Sequence, residues 1–356
     1  MTNAGPPSPA AAPKTFWNKR YSRHPFDPND IIAAEKGEPY REYRRLFHAS
    51  GRGDIRLPHP IDLSIETVDW CNYECPMCPR SLERGSGARL SREAFEALIR
   101  AYAERTKGLA AIGFDRGEPM LDAHLEEKVR YAHDQGIVDI ILTTNGVFLT
   151  PERSRRLIEA GLTKLHVSLD AATQETYTLC RGGDLAAVEA NVLEFLRIRG
   201  EMGRRHPIVR VSFAMIALNR HEHEAFVAKW VDVVDYVEFQ DSADQSRIDN
   251  LVDFPTEPFF CHYPFQNMAI TAKGEILPCC SFYAKHLVLG NVIDGDSIFT
   301  AFASEKAERL RRSFTEKRDF DIVCRNCRFQ PPGASPDAAI LARGVVARSR
   351  RRYPRA

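Results

Sequence analysis

Residues 71–78 read Cys71-Asn72-Tyr73-Glu74-Cys75-Pro76-Met77-Cys78, shortly after an apolar run, Ile61 to Ile65, of strand character. Three cysteines within eight residues is ligation spacing. As thiolates they can hold three irons of a cubane cluster, and the loop supplies no fourth cysteine. The fourth iron is left open to a ligand that is not protein. Structural zinc sites, by contrast, are closed by four protein ligands and are usually built from separated pairs.

Bulk properties narrow the setting. A chain of 356 residues can bury a large core and fits one big domain plus a small one. Lys plus Arg number 49 against 48 Asp plus Glu, so no overall field steers the chain toward nucleic acid or a membrane surface. No apolar run reaches the roughly 18 residues that a spanning helix needs. No basic start followed by an apolar run opens the chain, so no export signal is expected. Metal binding then accounts for the nine cysteines better than disulfides do, and the expected setting is cytoplasmic. Pro6, Pro7, Pro9 and Pro13 mark residues 1–13 as an opening with no reason to fold, and Arg348, Arg350, Arg351, Arg352 and Arg355 mark 331–356 as a solvated Pro/Arg-rich tail.

From residue 61 a regular rhythm starts. Strand-like runs at 61–66, 109–114, 138–143, 164–169, 208–216 and 233–239 alternate with helical periodicity at 91–106, 122–135, 151–160, 184–200 and 221–231. Ser91 and Thr150-Pro151 read as helix starts, and Gly136 and Gly161 as helix ends. The alternation predicts an α/β fold of parallel βα units. Its six strands are too few for the usual eight-stranded closure, so a partial (β/α)6 barrel follows, with the site on the loops at the strands' C-terminal ends. Residues 14–58 form an aromatic-rich N-terminal arm with a short helix expected over 39–48, the barrel spans 59–250, and a small cysteine-bearing module spans 255–330.

The C-x3-C-x2-C loop after the first strand resembles that of the radical S-adenosylmethionine (SAM) superfamily. The resemblance implies a [4Fe–4S] cluster on Cys71, Cys75 and Cys78 whose open iron is chelated by the amino and carboxylate groups of SAM. It implies Met77, or its rival Tyr73, beside the adenine. After the second strand the family carries a Gly-Gly-Glu-Pro-like segment whose backbone meets the SAM amino group; here Arg116-Gly117-Glu118-Pro119 departs at the first glycine. Asn145, in Thr143-Thr144-Asn145-Gly146, falls where the family lines the ribose and adenine side. In Ser168-Leu169-Asp170, Ser168 would approach SAM, and Arg181 further on would pair its fork with the SAM carboxylate. Asp170 is either a cap of the next helix or a substrate contact. Asn219 and Glu222 resemble another family segment.

Cys261, Cys279, Cys324 and Cys327 form a second set, which by spacing alone could hold either a [4Fe–4S] cluster or zinc. The run from Cys261 through Gly274 and Cys279 to the final C-x2-C resembles the family's auxiliary-cluster domain (SPASM) in its truncated, twitch-type form with one cluster. Cys180 and Cys280 are left over, as packing residues or as thiols able to return hydrogen to a substrate radical. This architecture resembles radical SAM dehydrogenases and epimerases of aminocyclitols and sugars. It implies two [4Fe–4S] clusters, SAM, a polyhydroxylated small-molecule substrate and a one-electron donor such as flavodoxin or ferredoxin, with no nucleic-acid or membrane partner. The expected reaction is oxidation of a secondary alcohol with the auxiliary cluster as electron acceptor. Epimerisation, peptide modification and a non-catalytic electron carrier are the alternatives.

Overall fold

In order along the chain, the elements are β1 (Lys19–Tyr21), α1 (Asn29–Lys36), α2 (Glu38–Arg52), β2 (Asp62–Ile65), α3 (Arg92–Thr106), β3 (Ala111–Phe114), α4 (Leu125–Asp134), β4 (Asp139–Thr144), α5 (Pro151–Glu159), β5 (Lys164–Ser168), α6 (Gln174–Cys180), α7 (Leu185–Glu201), β6 (Ile208–Met215), α8 (His223–Trp230), β7 (Tyr236–Asp241), α9 (Tyr263–Gln266), β8 (Asn267–Ile270), β9 (Glu275–Leu277), β10 (Gly290–Asn291), α10 (Ile298–Phe302), α11 (Glu305–Glu316) and α12 (Ile322–Arg328). This is a computed structural model, and it describes residues 19–83, 85–241 and 248–328. The expectations for residues 1–13 and for the C-terminal arginine tail lie outside the described residues.

All ten strands join one sheet, ordered β1-β7-β6-β5-β4-β3-β2-β8-β9-β10. β2 to β7 pair in parallel in sequence order, so the six expected strands form the α/β barrel core. Helices return each strand to the next, with the caps doing what their residues allow. Ser91 accepts from the Ala94 amide at the start of α3, and Thr150 accepts from the Arg153 amide before Pro151 at the start of α5. One side of every strand faces those helices, and Leu63, Ile112, Leu142, Leu165, Val167, Val211, Phe213 and Phe239 belong to this main core.

Three features go beyond the sequence-based expectation. The segment read as a second module contributes β8, which pairs in parallel with β2, so the cysteine module is stitched to the barrel by its own strand. Within that module the helical stretch is broken at Ser304 into α10 and α11. The N-terminal arm holds two helices rather than one, and it closes the barrel floor. Tyr40 and Tyr43 of α2 and Ile31 and Ile32 of α1 pack on Ile61, Ala111, Val138 and Ile208 at the N-terminal ends of the strands. β1 runs antiparallel along β7, which covers that sheet edge. Among the described residues no helix is long and apolar enough to cross a membrane.

Candidate active site

The Cys71–Cys78 loop leaves β2 at the barrel's open mouth. Cys75 is buried, Cys71 and Cys78 are half-buried, and all three are free thiols. Burial pushes Cys71 up to about 12 and Cys75 up to about 11, and the neighbouring cysteines push the same way. Such a set ionises at a cost unless cationic iron is present, and its donors are all sulfur. It fits an iron–sulfur cluster.

The loops after β3 and β4 are fastened around it. The backbone of Gly117 lies so close to the cysteine loop that a Cβ there would stand 2.2 Å from the Val68 carbonyl oxygen. Next to it, the Glu118 amide donates to the Trp70 carbonyl at 2.9 Å. The Glu118 carboxylate turns inward, buried, and accepts from Thr144 Oγ1 at 2.6 Å and from the Asn145 amide at 2.8 Å. Burial raises its pKa, and these bonds offset part of the rise. Glu118 thus brackets two loops, while Pro119 opens the short turn that follows. Asn145 reaches the other way and donates from Nδ2 to Asn72 Oδ1 at 2.8 Å, beside Cys71.

On the far side, Asp170 sits at a φ of 61°, two residues past the end of β5. It is buried, accepts from the Ala214 amide at 2.6 Å and receives Arg181 Nε at 2.6 Å. Arg181 Nη1 lies 3.7 Å from Cys75 Sγ. The arginine expected to meet SAM therefore already holds a carboxylate of the chain, and its fork sets a positive charge beside the Cys75 thiol. The next helix, α6, is started by Thr173 rather than by Asp170. Glu222 anchors that start by accepting from the Ala172 amide at 2.6 Å, and Asn219 Nδ2 donates to the Asp170 carbonyl at 2.9 Å. Cys180, at the end of α6, is buried against Cys75, Met77 and Ile216. Tyr73 meets Tyr177 edge-on, with its hydroxyl against Gly183.

The second set lies within electrostatic reach of itself, although among the described residues no group of three His, Cys, Asp or Glu side chains stands in metal-holding geometry. Cys279 follows β9, Cys261 precedes α9, and Cys324 and Cys327 share α12. Burial raises Cys279 and Cys324, and for both the next-largest causes are their fellow cysteines of this set. Burial pushes Cys261 up to about 12. Ser281 Oγ lies 3.3 Å from Cys327 Sγ. Cys280, adjacent to Cys279, feels that thiol and then Asp115 and Asp62 of the barrel, whereas Cys180 is packed among the residues of the first loop.

Sequence reasoning missed the barrel lumen. Because Leu165 and Val167 face the helices, Lys164, His166 and Ser168 face inward, and the same alternation turns Arg210, Ser212 and Glu238 inward. The register sets Thr143, His166, Arg210 and Tyr236 in one row and Ser168, Ser212 and Glu238 in the next. Arg210 pairs with Glu238, which also receives Arg20 Nε at 2.6 Å. Asp115, just past β3, accepts from the Ser64 hydroxyl. Burial lifts it to about 7 against the lowering pull of Ser64 and Arg116. The signal was present in the sequence as polar residues at every second position of Lys-Leu-His-Val-Ser and Ile-Val-Arg-Val-Ser.

Comparison with known proteins agrees with this geometry. Residues 65–226 match the radical SAM superfamily, and residues 261–328 match an iron–sulfur cluster-binding domain, SPASM. The GTP 3′,8-cyclase of Pelotomaculum thermopropionicum is 36% identical over 185 residues, covering 46% of this chain and 54% of that protein. The chain spans about half the length of the curated relatives it matches. BtrN in complex with AdoMet and 2-DOIA has a TM-score of 0.51 at 20% identity, with 75% of this chain and 92% of that one covered. For anSMEcpe with bound AdoMet and Cp18Cys peptide the TM-score is 0.57 at 16% identity, over 81% and 96%. At these identities the solved structures share the fold.

Proposed function

For this chain, which belongs to the radical SAM superfamily and carries a SPASM-type iron–sulfur domain, we propose oxidation of a secondary alcohol on a sugar-like or aminocyclitol substrate held in the barrel lumen. When bound, SAM and the cluster on Cys71, Cys75 and Cys78 supply a 5′-deoxyadenosyl radical that takes a hydrogen atom from a substrate carbon. Tyr73, Met77, Gly117, Glu118, Pro119, Asn145, Ser168, Asp170 and Arg181 shape the SAM side of the mouth, most of them through the brackets described above. Cys261, Cys279, Cys324 and Cys327 hold the acceptor for the second electron. The substrate's first electron leaves with the hydrogen atom, and a flavodoxin or ferredoxin would supply the separate electron that SAM cleavage consumes.

The observation that carries this reading is the lumen. Its inward rows bear hydroxyls, an imidazole, a guanidinium and carboxylates, which suits a ligand rich in hydroxyl or amino groups better than an apolar one. Asp115 is the candidate proton acceptor. Its Oδ atoms lie beside Ser64 and Gly113, within electrostatic reach of Cys280, and at about 7 it can exchange a proton at neutral pH. Burial favours the neutral acid, which is the form it takes on receiving the substrate's hydroxyl proton. Epimerisation is the second reading, favoured by the Cys280 thiol in the same neighbourhood.

Turnover in deuterated water with a panel of aminocyclitols and sugars, followed by mass analysis, tests the proposal. Oxidation gives a product lighter by a pair of hydrogen atoms with no solvent deuterium at the reacting carbon. An isomer of the substrate carrying one deuterium there would establish epimerisation instead. Turnover of peptides alone would move the chain to peptide modification, and uncoupled electron transfer without any turnover to a carrier.

A further inference from the structure

Arg116 occupies a backbone position that an L side chain rarely takes, with φ at 76°. Such a conformation costs about 1–2 kcal/mol for a residue other than glycine. Its side chain is only 5% exposed and reaches the second module. Nη1 donates to the Cys280 carbonyl at 2.8 Å and to the Ser281 carbonyl at 3.4 Å, and the guanidinium lies over the Phe282 ring at 4.3 Å. These acceptors immediately follow Cys279. The Ser281 hydroxyl, in turn, reaches Cys327. One buried guanidinium thus grips the short segment that joins two of the four auxiliary cysteines.

Its charge is only partly balanced nearby. Glu66 stands 3.8 Å from Arg116 Nε, but the same carboxylate oxygen is bound more closely by Arg80. Two guanidiniums share that carboxylate, and Glu66 also accepts from the Ala272 amide. The other carboxylate at hand, Asp115, is turned to Ser64. Reducing an iron–sulfur cluster adds negative charge, and a buried cation close to it favours the reduced form. We infer that Arg116 is a positioning residue which fixes the Cys279–Ser281 segment against the SAM-side loop and raises the reduction potential of the auxiliary cluster, making it a better electron acceptor. The inference rests on the reading of Cys261, Cys279, Cys324 and Cys327 as cluster ligands.

The test is a redox titration of the anaerobically reconstituted full chain with SAM present, followed by electron paramagnetic resonance. The auxiliary cluster is the reduced signal that SAM does not perturb. Arg116→Gly removes the cation and also relieves the backbone, so a loss cannot be charged to strain. Arg116→Lys keeps a charge without the fork. The expected result is a lower midpoint for the SAM-insensitive signal in Arg116→Gly, a smaller drop in Arg116→Lys, and an unmoved SAM-sensitive signal. Should Arg116→Gly lose half its iron, Arg116→Gln, which keeps a long polar side chain without the charge, decides instead: a lowered midpoint supports the inference and an unchanged one overturns it. Full iron with an unchanged midpoint in Arg116→Gly overturns it too, leaving the two-cluster reading intact. A wild-type chain with only about four irons removes that reading itself, and this inference with it.

Discussion

Asp115 shows how one half-buried, desolvated carboxylate can serve chemistry at a cost in stability. Burial lifts it from an ordinary carboxylate to about 7. The unfolded chain ionises this group near pH 4, while the folded chain keeps its proton until about pH 7. Its cost to folding is therefore absent below the unfolded pKa, grows as pH rises through the window between them, and levels off above the folded value. Asp115→Asn has no charge to bury and can still accept from Ser64. Its melting temperature should exceed that of the wild type, with a larger margin at pH 8 than at pH 5.5, as thermal scans would record. The same variant should still cleave SAM but form alcohol-oxidation product at least about 100-fold more slowly, the scale on which a lost proton acceptor is felt. A margin independent of pH would show that Asp115 is already ionised in the fold.

Among the elements, the loops after β2, β3 and β4 act as one assembly, because Gly117 presses on the cysteine loop while Glu118 holds the Thr144–Asn145 turn. A methyl at 117 would meet backbone oxygens at 2.2 Å and 2.8 Å, and neither can rotate away as a side-chain tip could. Gly117→Ala should therefore lose the SAM-side cluster, seen as roughly half the iron of the wild type, while the auxiliary cluster stays bound. Full iron in that variant would mean that the loop can shift as a body. The six parallel strands and the cysteine sets were legible in the sequence because period and ligand spacing are local signals. The broken helix at Ser304 and the extra strand β8 were not, since β8 is only four residues long and exists as a strand because β2 offers it an edge. The role of Arg116 was equally hidden. Its partners lie 164 and 165 residues further along, so the sequence shows only an arginine where a glycine was expected.

At the scale of the whole molecule, one sheet carries two sets of thiols, one on the loop after β2 and one around β8, β9 and α12, that nothing in a purely structural protein would require. Desolvation raises Cys71 and Cys75 in the first set and Cys261, Cys279 and Cys324 in the second, so these thiols ionise at a cost that bound iron would offset. Anaerobic reconstitution should yield about eight irons and eight sulfides per chain, and replacing Cys71, Cys75 and Cys78 together by alanine should leave about half. The two sets differ in what they leave open. Three cysteines cannot complete a cubane, whereas the set at 261, 279, 324 and 327 can, so SAM should bind and be cleaved only at the first. The reduced wild type should release 5′-deoxyadenosine and methionine slowly even without substrate, and the triple alanine variant should release neither while keeping its auxiliary cluster. If S-adenosylhomocysteine were the sole product, the chain would be transferring methyl groups, and the lumen's polar rows would need another ligand. If the triple variant still cleaved SAM, the open iron would have to lie in the C-terminal set, and the assignment of the two sites would be reversed.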